Sequence, residues 1–501
     1  MHVIFRESHG FEETDTPVDL DQSPANLVVL SFSDSDLGAF SAGWHLGKAD
    51  LPNLRLANLV ALKHPLSVDT YIEKTLVHAR GVLIRLIGGM SYWNYGLQQL
   101  HSLALEKGIA LAILPADGRP DAQLDEMSTL PVSTLRRLCA LCDTGGAEAA
   151  RAALGQLALA AGLYVKPSFG PKRLPRVGGW KKDTGIICPA LLSCRITPKP
   201  LVIISFYLSY LTAADLDPFN VLSKQLENQG FDVLGLFVPS LKDPEAAKWM
   251  AGQIRHQAPV AIINATAFSG IGSDGSSPLD SGNVPVFQMT LATSRRKDWQ
   301  EGERGLSPAD LAMHVVLPEV DGRLSGGIGS FKEPSKRDPD LEFSRFAHHS
   351  DHARIRALVA KVAAHVKLQT KPLEQRSTAL ILSTYPGKNW NMAHAVGLDA
   401  LASGEAILKE LACAGYTVTE GTRLDDRLQS ETLHWSLSAY KRSLESLPQS
   451  LTDSLFHVWG APEDDPAFNR GRFVFRALRC GSAIVALQPE RGNVVTRDVE
   501  Y

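Results

Sequence analysis

Two glycines followed by three aromatic residues mark the stretch of this chain best equipped for chemistry. The run Gly88-Gly89-Met90-Ser91-Tyr92-Trp93-Asn94-Tyr95-Gly96 follows an apolar segment, 81–87, and leads into a helical pattern over 93–107. Glycine lets a ligand approach the backbone closely. The first turn of a helix offers unpaired N–H groups to an anion. Tyr92, Trp93 and Tyr95 offer flat faces, and Arg85, just upstream, offers a planar cationic fork. A planar ring bearing carboxylates would suit that set. A plain strand–turn–helix junction with core aromatics uses the same residue types, so composition alone leaves both readings open.

Other candidates are weaker. In Leu317-Pro318-Glu319-Val320-Asp321-Gly322, Glu319 and Asp321 could hold a divalent cation or accept protons, or could cap a turn ending at Gly322. His348, His349 and His352 are expected at the start of a helix, where His348 and His352 have a chelating spacing. No third ligand is evident and their neighbours are polar, which favours a solvated cluster. Cys139 and Cys142 form a C-x-x-C pair on a helical pattern; helix packing is expected, with metal or redox use as the alternative. Cys188 and Cys194 are too far apart to supply a second zinc pair. Ser33-Asp34-Ser35-Asp36 is expected to cap a helix. Gly270-x-Gly272-x-x-Gly275 matches the dinucleotide fingerprint only formally, because Ser276-Ser277-Pro278 opens no helix. No G-x-x-x-x-G-K-[ST], H-E-x-x-H or G-x-S-x-G occurs anywhere.

The elements that must position these residues follow one pattern. Short β-branched runs alternate with helical segments, which predicts an α/β chain of successive, doubly wound, mostly parallel sheets, flavodoxin-like or periplasmic-binding-protein-like. The first unit, 1–165, has strand candidates at 2–5, 27–32, 56–62, 81–87 and 109–114. A Pro-, Gly- and Lys-rich segment, within 166–197, reads as a linker or surface crossing. The second unit, 198–370, has strand candidates at 201–206, 231–239, 260–264 and 285–289, then a mobile-looking excursion at 325–340. The third, 371–501, offers strands near 377–383 and 482–487 and a helix over 403–414, and is expected to be truncated. In such sheets ligands bind beyond the carboxyl ends of the strands. The glycine–aromatic run lies at one such end.

Composition excludes several classes. Of 501 residues, 44% are hydrophobic and 21% are charged. That is a globular profile. A net charge of −3 gives no general attraction to nucleic acid or anionic lipid. No signal-like start or membrane-length apolar run is present. The expectation is a cytoplasmic protein with no nucleic-acid or membrane partner.

Taken together, the motifs resemble the CobN/magnesium chelatase large-subunit family, and most of all its cobaltochelatase branch, at the amino-terminal part. The resemblance rests on Asp19 to Ala25 with Leu30 to Leu37, and on Arg85 to Gly89 with Tyr92, Trp93, Tyr95 and Gly96. It continues through Ser240 to Asp243, Gly305 to Pro308, and Leu317 to Arg323. Tyr385-Pro386, Val396 to Asp399, Gly471-Arg472, Arg479 to Gly481 and Gln488 to Gly492 complete it. Two departures stand out. Leu208 replaces the Arg of a Phe-Tyr-Arg run, and Trp390-Asn391 stand where glycines are common.

The resemblance implies a subunit of an ATP-dependent, metal-inserting ligase. The large subunit would bind a corrin-type tetrapyrrole, hydrogenobyrinic acid a,c-diamide, with cobalt as the substrate metal. Two partner subunits, one an AAA+ ATPase, would carry ATP and magnesium. The lack of a P-loop in this chain agrees with that division. Arg85, Gly88, Gly89, Tyr92 and Trp93 are the implied ring contacts, and Glu319 and Asp321 weaker metal candidates. Family members are much longer, so the chain is expected to be a fragment, inactive alone, whose catalytic groups lie beyond Tyr501. A magnesium chelatase acting on protoporphyrin, and a non-catalytic tetrapyrrole-binding or docking module, are the alternatives.

Overall fold

Continuous apolar runs become strands only where both faces of a sheet are covered. Leu27–Ser31 (β1), Leu54–Asn58 (β2), Gly81–Leu86 (β3) and Ala110–Pro115 (β4) are such runs, buried almost throughout. They pair in parallel in the order β2-β1-β3-β4. The helices between and after them are Asp34–Leu46 (α1), Pro65–Lys74 (α2), Asn94–Lys107 (α3), Ala122–Glu126 (α4), Val132–Thr144 (α5) and Gly146–Ala160 (α6). Successive β1 side chains enter opposite cores, as the two-residue period requires. Leu27 and Val29 pack with Phe40 and Leu154; Val28 and Leu30 pack with Trp93 and Leu97. The sheet is therefore doubly wound. The expected strand at 56–62 starts earlier and gives way to a 3-10 turn at Leu59–Leu62.

This computed structural model describes residues 16–116, 120–167, 174–187, 199–272, 275–303, 305–383, 394–395, 398–419 and 423–488. The expected strand at 2–5, Cys188, Cys194, Tyr385, Pro386, Trp390, Asn391, Val396, Gly397 and the 489–492 run lie outside them.

The second sheet has eight strands in the order β12-β11-β10-β9-β7-β8-β5-β6. They are Gly178–Lys181 (β5), Gly185–Ile187 (β6), Leu201–Tyr207 (β7), Asp232–Val238 (β8), Ala261–Asn264 (β9), Val286–Ala292 (β10), Leu324–Pro334 (β11) and Phe346–Ser350 (β12). β7 to β11 run parallel, and both edges are antiparallel. Leu208–Thr212 (α7), Asp217–Asn228 (α8) and Pro244–Gln257 (α9) cover it.

Two expectations fail in this sheet. The segment read as a linker contributes the β5–β6 hairpin, where Trp180 is buried edge-on to Phe206. The excursion at 325–340 is mostly β11. Two of its glycines are needed for close packing: a Cβ on Gly326 would lie 2.6 Å from Gln288 O, and one on Gly329 2.5 Å from Met289 Sδ. Beyond β11 the chain forms a strap back to the first sheet. Leu341 is fully buried in that sheet's core, Arg55 Nη1 donates to Asp340 O at 2.9 Å, and Arg55 pairs with Glu342 at 2.8 Å. Charged residues made this stretch look solvated, yet the charges are what anchor it.

The chain divides into two compact units, Met1–Ala364 and His365–Tyr501. The second unit contains Thr378–Leu382 (β13), a small ribbon of His394–Ala395 (β14) and Leu398–Asp399 (β15), Thr432–Ser436 (β16), Phe468–Asn469 (β17), Arg472–Cys480 (β18) and Ala483–Leu487 (β19). β13 is parallel to β19, while β18 pairs antiparallel with β16, β17 and β19. This sheet is mixed. Its helix Ala400–Cys413 packs Leu408 with Leu424, Leu478 and Val485. Among the described residues no helix is long and apolar enough to cross a membrane.

Candidate functional site

The first sheet reverses its strand order between β1 and β3, the place where an open α/β sheet leaves a crevice at its carboxyl edge. A cavity of about 160 Å³ lies there, lined among others by Ser33, Asp36, Arg85, Cys142, Asp143 and Thr212. Local sequence builds each wall. Ser33 caps α1, its Oγ accepting from the Asp36 N–H at 3.2 Å. Capping is what a Ser-Asp-Ser-Asp run leads one to expect. Arg85 is the last but one residue of β3. α5 brings Cys142 and Asp143, and α7 brings Thr212.

Arg85 is not the free cationic fork that the sequence offered. It is 4% exposed; Nη1 donates to Pro115 O at 2.9 Å, and Nη1 and Nη2 reach Asp143 Oδ1 at 3.1 and 3.0 Å. Nε lies 3.6 Å from Asp36 Oδ2 and has no hydrogen-bond partner among the described residues. Burial opposes the Arg85 charge, but the neighbouring acidic groups outweigh it and hold the guanidinium more firmly protonated than usual. Two carboxylates around one cation leave the crevice wall net negative. Burial also pushes the Cys142 thiol up to about 12 and raises Cys139, the latter helped by Asp143. Thiols held neutral in this way are poor nucleophiles and poor metal ligands.

The glycine–aromatic loop splits in two. Gly88 and Gly89 take φ of +84° and +80°. Both values lie in the left-handed range that glycine tolerates. A Cβ on Gly88 would stand 2.3 Å from the Tyr92 ring, so the ring lies against that glycine. Tyr92 is 65% exposed and presents the ring to solvent beside the loop. Trp93 points the other way. It is 5% exposed, its Nε1 donates to Leu62 O at 2.7 Å, and its indole sits where a Cβ on Gly96 would be. Its expected role as a flat face for a ring is corrected to a core role, because a buried indole N–H needs the partner that it has found. Tyr95 is tied by its hydroxyl to Asp69 at 2.8 Å. The N-terminus of α3 has no side-chain cap.

The second sheet carries a buried polar layer across β7, β9 and β10. Ser205 Oγ donates to Asn264 Oδ1 at 2.6 Å, Asn264 Nδ2 to Gln288 Oε1 at 2.7 Å, and Gln288 Nε2 to Thr266 O at 2.8 Å. Each of these amides is hydrogen-bonded within the layer, which ties β7, β9 and β10 together. Asp321 is similarly occupied. Its oxygens accept from Ser269 Oγ at 2.8 Å and Gly270 N at 2.6 Å, which closes the turn that the glycine fingerprint had suggested for a nucleotide. Glu319 lies apart from that turn, beside a cavity of about 50 Å³ with His314, Arg323 and Gln288. No group of three or more His, Cys, Asp or Glu side chains able to hold a metal occurs among the described residues.

Sequence reasoning missed His314. It occupies a π-helical turn, Ala312–Val316, is buried, and its Nδ1 has no partner among the described residues; burial lowers its pKa. A helical register alone gives no sign of a π turn. His348 and His349 lie on β12 instead of opening a helix, so the four-residue chelating spacing with His352 does not form. His348 is buried and shares a 3.0 Å hydrogen bond with Ser330 Oγ. Asp36, Asp143 and Thr212 were missed as crevice residues because they come from distant segments.

The CobN/Magnesium Chelatase family model matches residues 145–500. The chain is 33% identical to the aerobic cobaltochelatase subunit CobN of a Sinorhizobium species, over 100% of this chain and 41% of that protein. It is 31% identical to the aerobic cobaltochelatase subunit CobN of Pseudomonas aeruginosa, over 98% of this chain and 41% of the relative. It thus spans about two fifths of the length of these relatives. A solved catalytic subunit of cobaltochelatase from Mycobacterium tuberculosis superposes with a TM-score of 0.69 at 24% identity, covering 93% of this chain and 39% of the other, and so shares its fold. With more than half of its residues matched by one family pattern, from the end of α5 to the last strand and beyond, this chain belongs to the CobN/magnesium chelatase family.

Proposed function

We propose that the chain is the amino-terminal, ring-holding part of the large subunit of an ATP-dependent cobaltochelatase. The observation that carries this reading is the match to aerobic cobaltochelatase subunits along essentially the whole chain. The ring would be hydrogenobyrinic acid a,c-diamide, and cobalt the substrate metal, in cytoplasmic, aerobic cobalamin synthesis. ATP and magnesium would reside on two partner subunits, one an AAA+ ATPase; the absence of any G-x-x-x-x-G-K-[ST] from this sequence supports that placement. The chain spans 41% of the relatives' length. The groups that take the ring N–H protons and strip water from cobalt are therefore assigned to the rest of the large subunit.

Size decides how the ring would sit. Pockets that enclose drug-sized ligands run to roughly 300–1,000 Å³. The β1/β3 crevice holds about 160 Å³ and can take only an edge or a side arm of a macrocycle. The ring face would then rest on Tyr92, with Gly88 and Gly89 allowing close backbone approach. Arg85 would shape the wall, its charge already balanced, and Trp93 would hold the loop from beneath. Glu319 remains the better placed of the two metal candidates, since both Asp321 oxygens are engaged.

The test is a titration of the purified chain with hydrogenobyrinic acid a,c-diamide and with protoporphyrin, followed by absorbance. Saturable binding of the first ring is expected, weakened about three- to tenfold by Tyr92→Ala, the range of an aromatic stacking contact. Tighter binding of protoporphyrin would move the chain to the magnesium branch, and binding of neither would remove the ring-holding role. Cobalt insertion by this chain with only the two partner subunits would overturn the assignment of the catalytic groups.

A further inference from the structure

We infer that Arg295 and Lys332, both over the ring of Phe346 beside the β1/β3 crevice, form a subsite for a carboxylate side arm of the tetrapyrrole. This deepens the ring-binding reading and rests on it only for the molecule that carries the carboxylate.

The crevice wall cannot take an anionic arm. Arg85 is answered by Asp143, and with Asp36 the wall is net negative. Such an arm needs cations with donors to spare. The second sheet brings two of them to the carboxyl ends of its strands, where open α/β sheets hold ligands. β10 ends at Ala292, and Arg295 follows three residues on. Lys332 lies near the end of β11. Its backbone N–H donates to Ser294 O at 3.2 Å, which seats the residue before Arg295 against β11. Lys332 Nζ stands 3.6 Å from Asp34 Oδ2 on α1. Ser33 and Ser35, on either side of Asp34, line the crevice. Lys332 is therefore at its rim, and Arg295 shares the Phe346 ring with it.

Neither head group is used up. The Arg295 guanidinium is exposed, lies 5.9 Å from the Phe346 ring centre, and makes no hydrogen bond or ion pair among the described residues. The Lys332 ammonium lies 5.6 Å from the same centre, and its separation from Asp34 is too long for a hydrogen bond. Asp34 Oδ1 accepts instead from Asn58 Nδ2 at 2.8 Å. Glu333 is turned to Arg296, whose N–H it holds at 2.9 Å. Stacking over Phe346 limits the freedom that the guanidinium must give up on binding. Two cations over one ring repel each other, and a carboxylate beside both relieves that repulsion. The guanidinium fork can take it through two parallel N–H bonds, with the ammonium as a second charge. An amide arm brings no charge, and an ammonium arm meets two like charges.

The full chain is titrated at low ionic strength with glutarate and with glutaramide, its uncharged diamide of similar shape, by ligand-observed NMR. Glutarate is expected to bind saturably and at least about threefold more tightly than glutaramide. Arg295→Gln and Lys332→Gln should each weaken glutarate about three- to tenfold, with the circular dichroism spectrum retained and Arg295→Lys restoring part of the loss. Arg354→Gln, at a cation that stacks over Trp299 instead, should have no effect. The same two Gln variants should weaken hydrogenobyrinic acid a,c-diamide by a similar factor. Equal affinities for glutarate and glutaramide, no saturable glutarate binding, or an equal loss in Arg354→Gln would each overturn the proposal. Tetrapyrrole binding that ignores Arg295→Gln would overturn the subsite and leave the ring reading standing. Failure of the ring reading alone looks different: glutarate would still bind and respond to Arg295→Gln, while the tetrapyrrole would not bind at all.

Discussion

Acid should unfasten the second sheet through one residue, His348. Burial lowers its pKa from the ordinary 6.5 to about 4, with Asp215 opposing the shift and Lys332 and His314 adding to it. The ring stands between Ser330 Oγ and Tyr210, and its backbone N–H is held by Asp215 at 3.1 Å. In the folded protein it is neutral; in the unfolded chain it takes a proton as pH falls through 6.5. Unfolded protein therefore binds more protons between those values, and stability must fall with pH across that window and level off below about 4. A shift of that size corresponds to about 3 kcal/mol in full, of which about 2 kcal/mol is lost between pH 7 and pH 5. Carboxylates such as Glu342, held low by Ser23 and Arg55 against their burial, also cost stability in acid, so the effect must be read as a difference. Urea unfolding of wild type and His348→Gln at pH 7 and pH 5 isolates it, with Gln keeping a hydrogen bond to Ser330 and no titration. Wild type should lose about 2 kcal/mol more than the variant between the two pH values. Equal losses would refute the argument that a buried neutral imidazole sets the acid limit.

Four further outcomes follow from named contacts. Gly88→Ala places a Cβ 2.3 Å from the Tyr92 ring at a φ of +84°. A loss of about 1–3 kcal/mol in thermal stability, together with weaker ring binding, is expected, and an unchanged variant would mean that the loop is not built as described. Trp93→Phe removes the indole N–H bond to Leu62 O. It should lower stability by about 1–2 kcal/mol without changing ring affinity, and a change in affinity would return Trp93 to the ring surface. Leu341→Ala empties a fully buried position in the first core. The cost should be about 2–5 kcal/mol by calorimetry, whereas a neutral result would show that the 335–345 strap is not seated. Asp321→Asn disturbs the bonds to Ser269 and Gly270. It should weaken that turn by about 1–2 kcal/mol and leave cobalt affinity, measured by calorimetry, unchanged; a lost cobalt site would restore Asp321 as a ligand.

The parts of the fold that were legible were those with a single dominant signal. β1, β3, β4, β7 and β8 are largely apolar runs of five to seven residues, and that length separates a strand buried on both faces from a buried helix, which periodicity alone does not. β16 and β18 were missed because half-exposed antiparallel strands interleave Arg, His and Ser with apolar residues, as in Arg472–Cys480, where Arg479 falls on the face opposite Arg472 and Arg476. Charge there masks the period of two. The strap around Leu341 was missed for a related reason. Its fully buried apolar anchor, Leu341, sits among Asp338, Asp340 and Glu342, whose partners, His45, Lys48 and Arg55, lie far back along the chain. The candidate site was legible as a place and not as an electrostatic field. Two glycines before a helix located the loop, but nothing local to Arg85 foretold Asp143 from α5, and that carboxylate turns an expected anion site into a crevice of net negative charge. Trp93 illustrates the same limit, since residue type alone does not tell which face of a loop an aromatic ring will take.

Hydrogen–deuterium exchange of the purified chain, with and without saturating hydrogenobyrinic acid a,c-diamide, tests the central claim most directly. The account predicts added protection in residues 85–96 and at the start of α1, with Gly88, Gly89 and Tyr92 inside the protected peptides. Protection confined to the second sheet or to the His365–Tyr501 unit, or none anywhere, would contradict it.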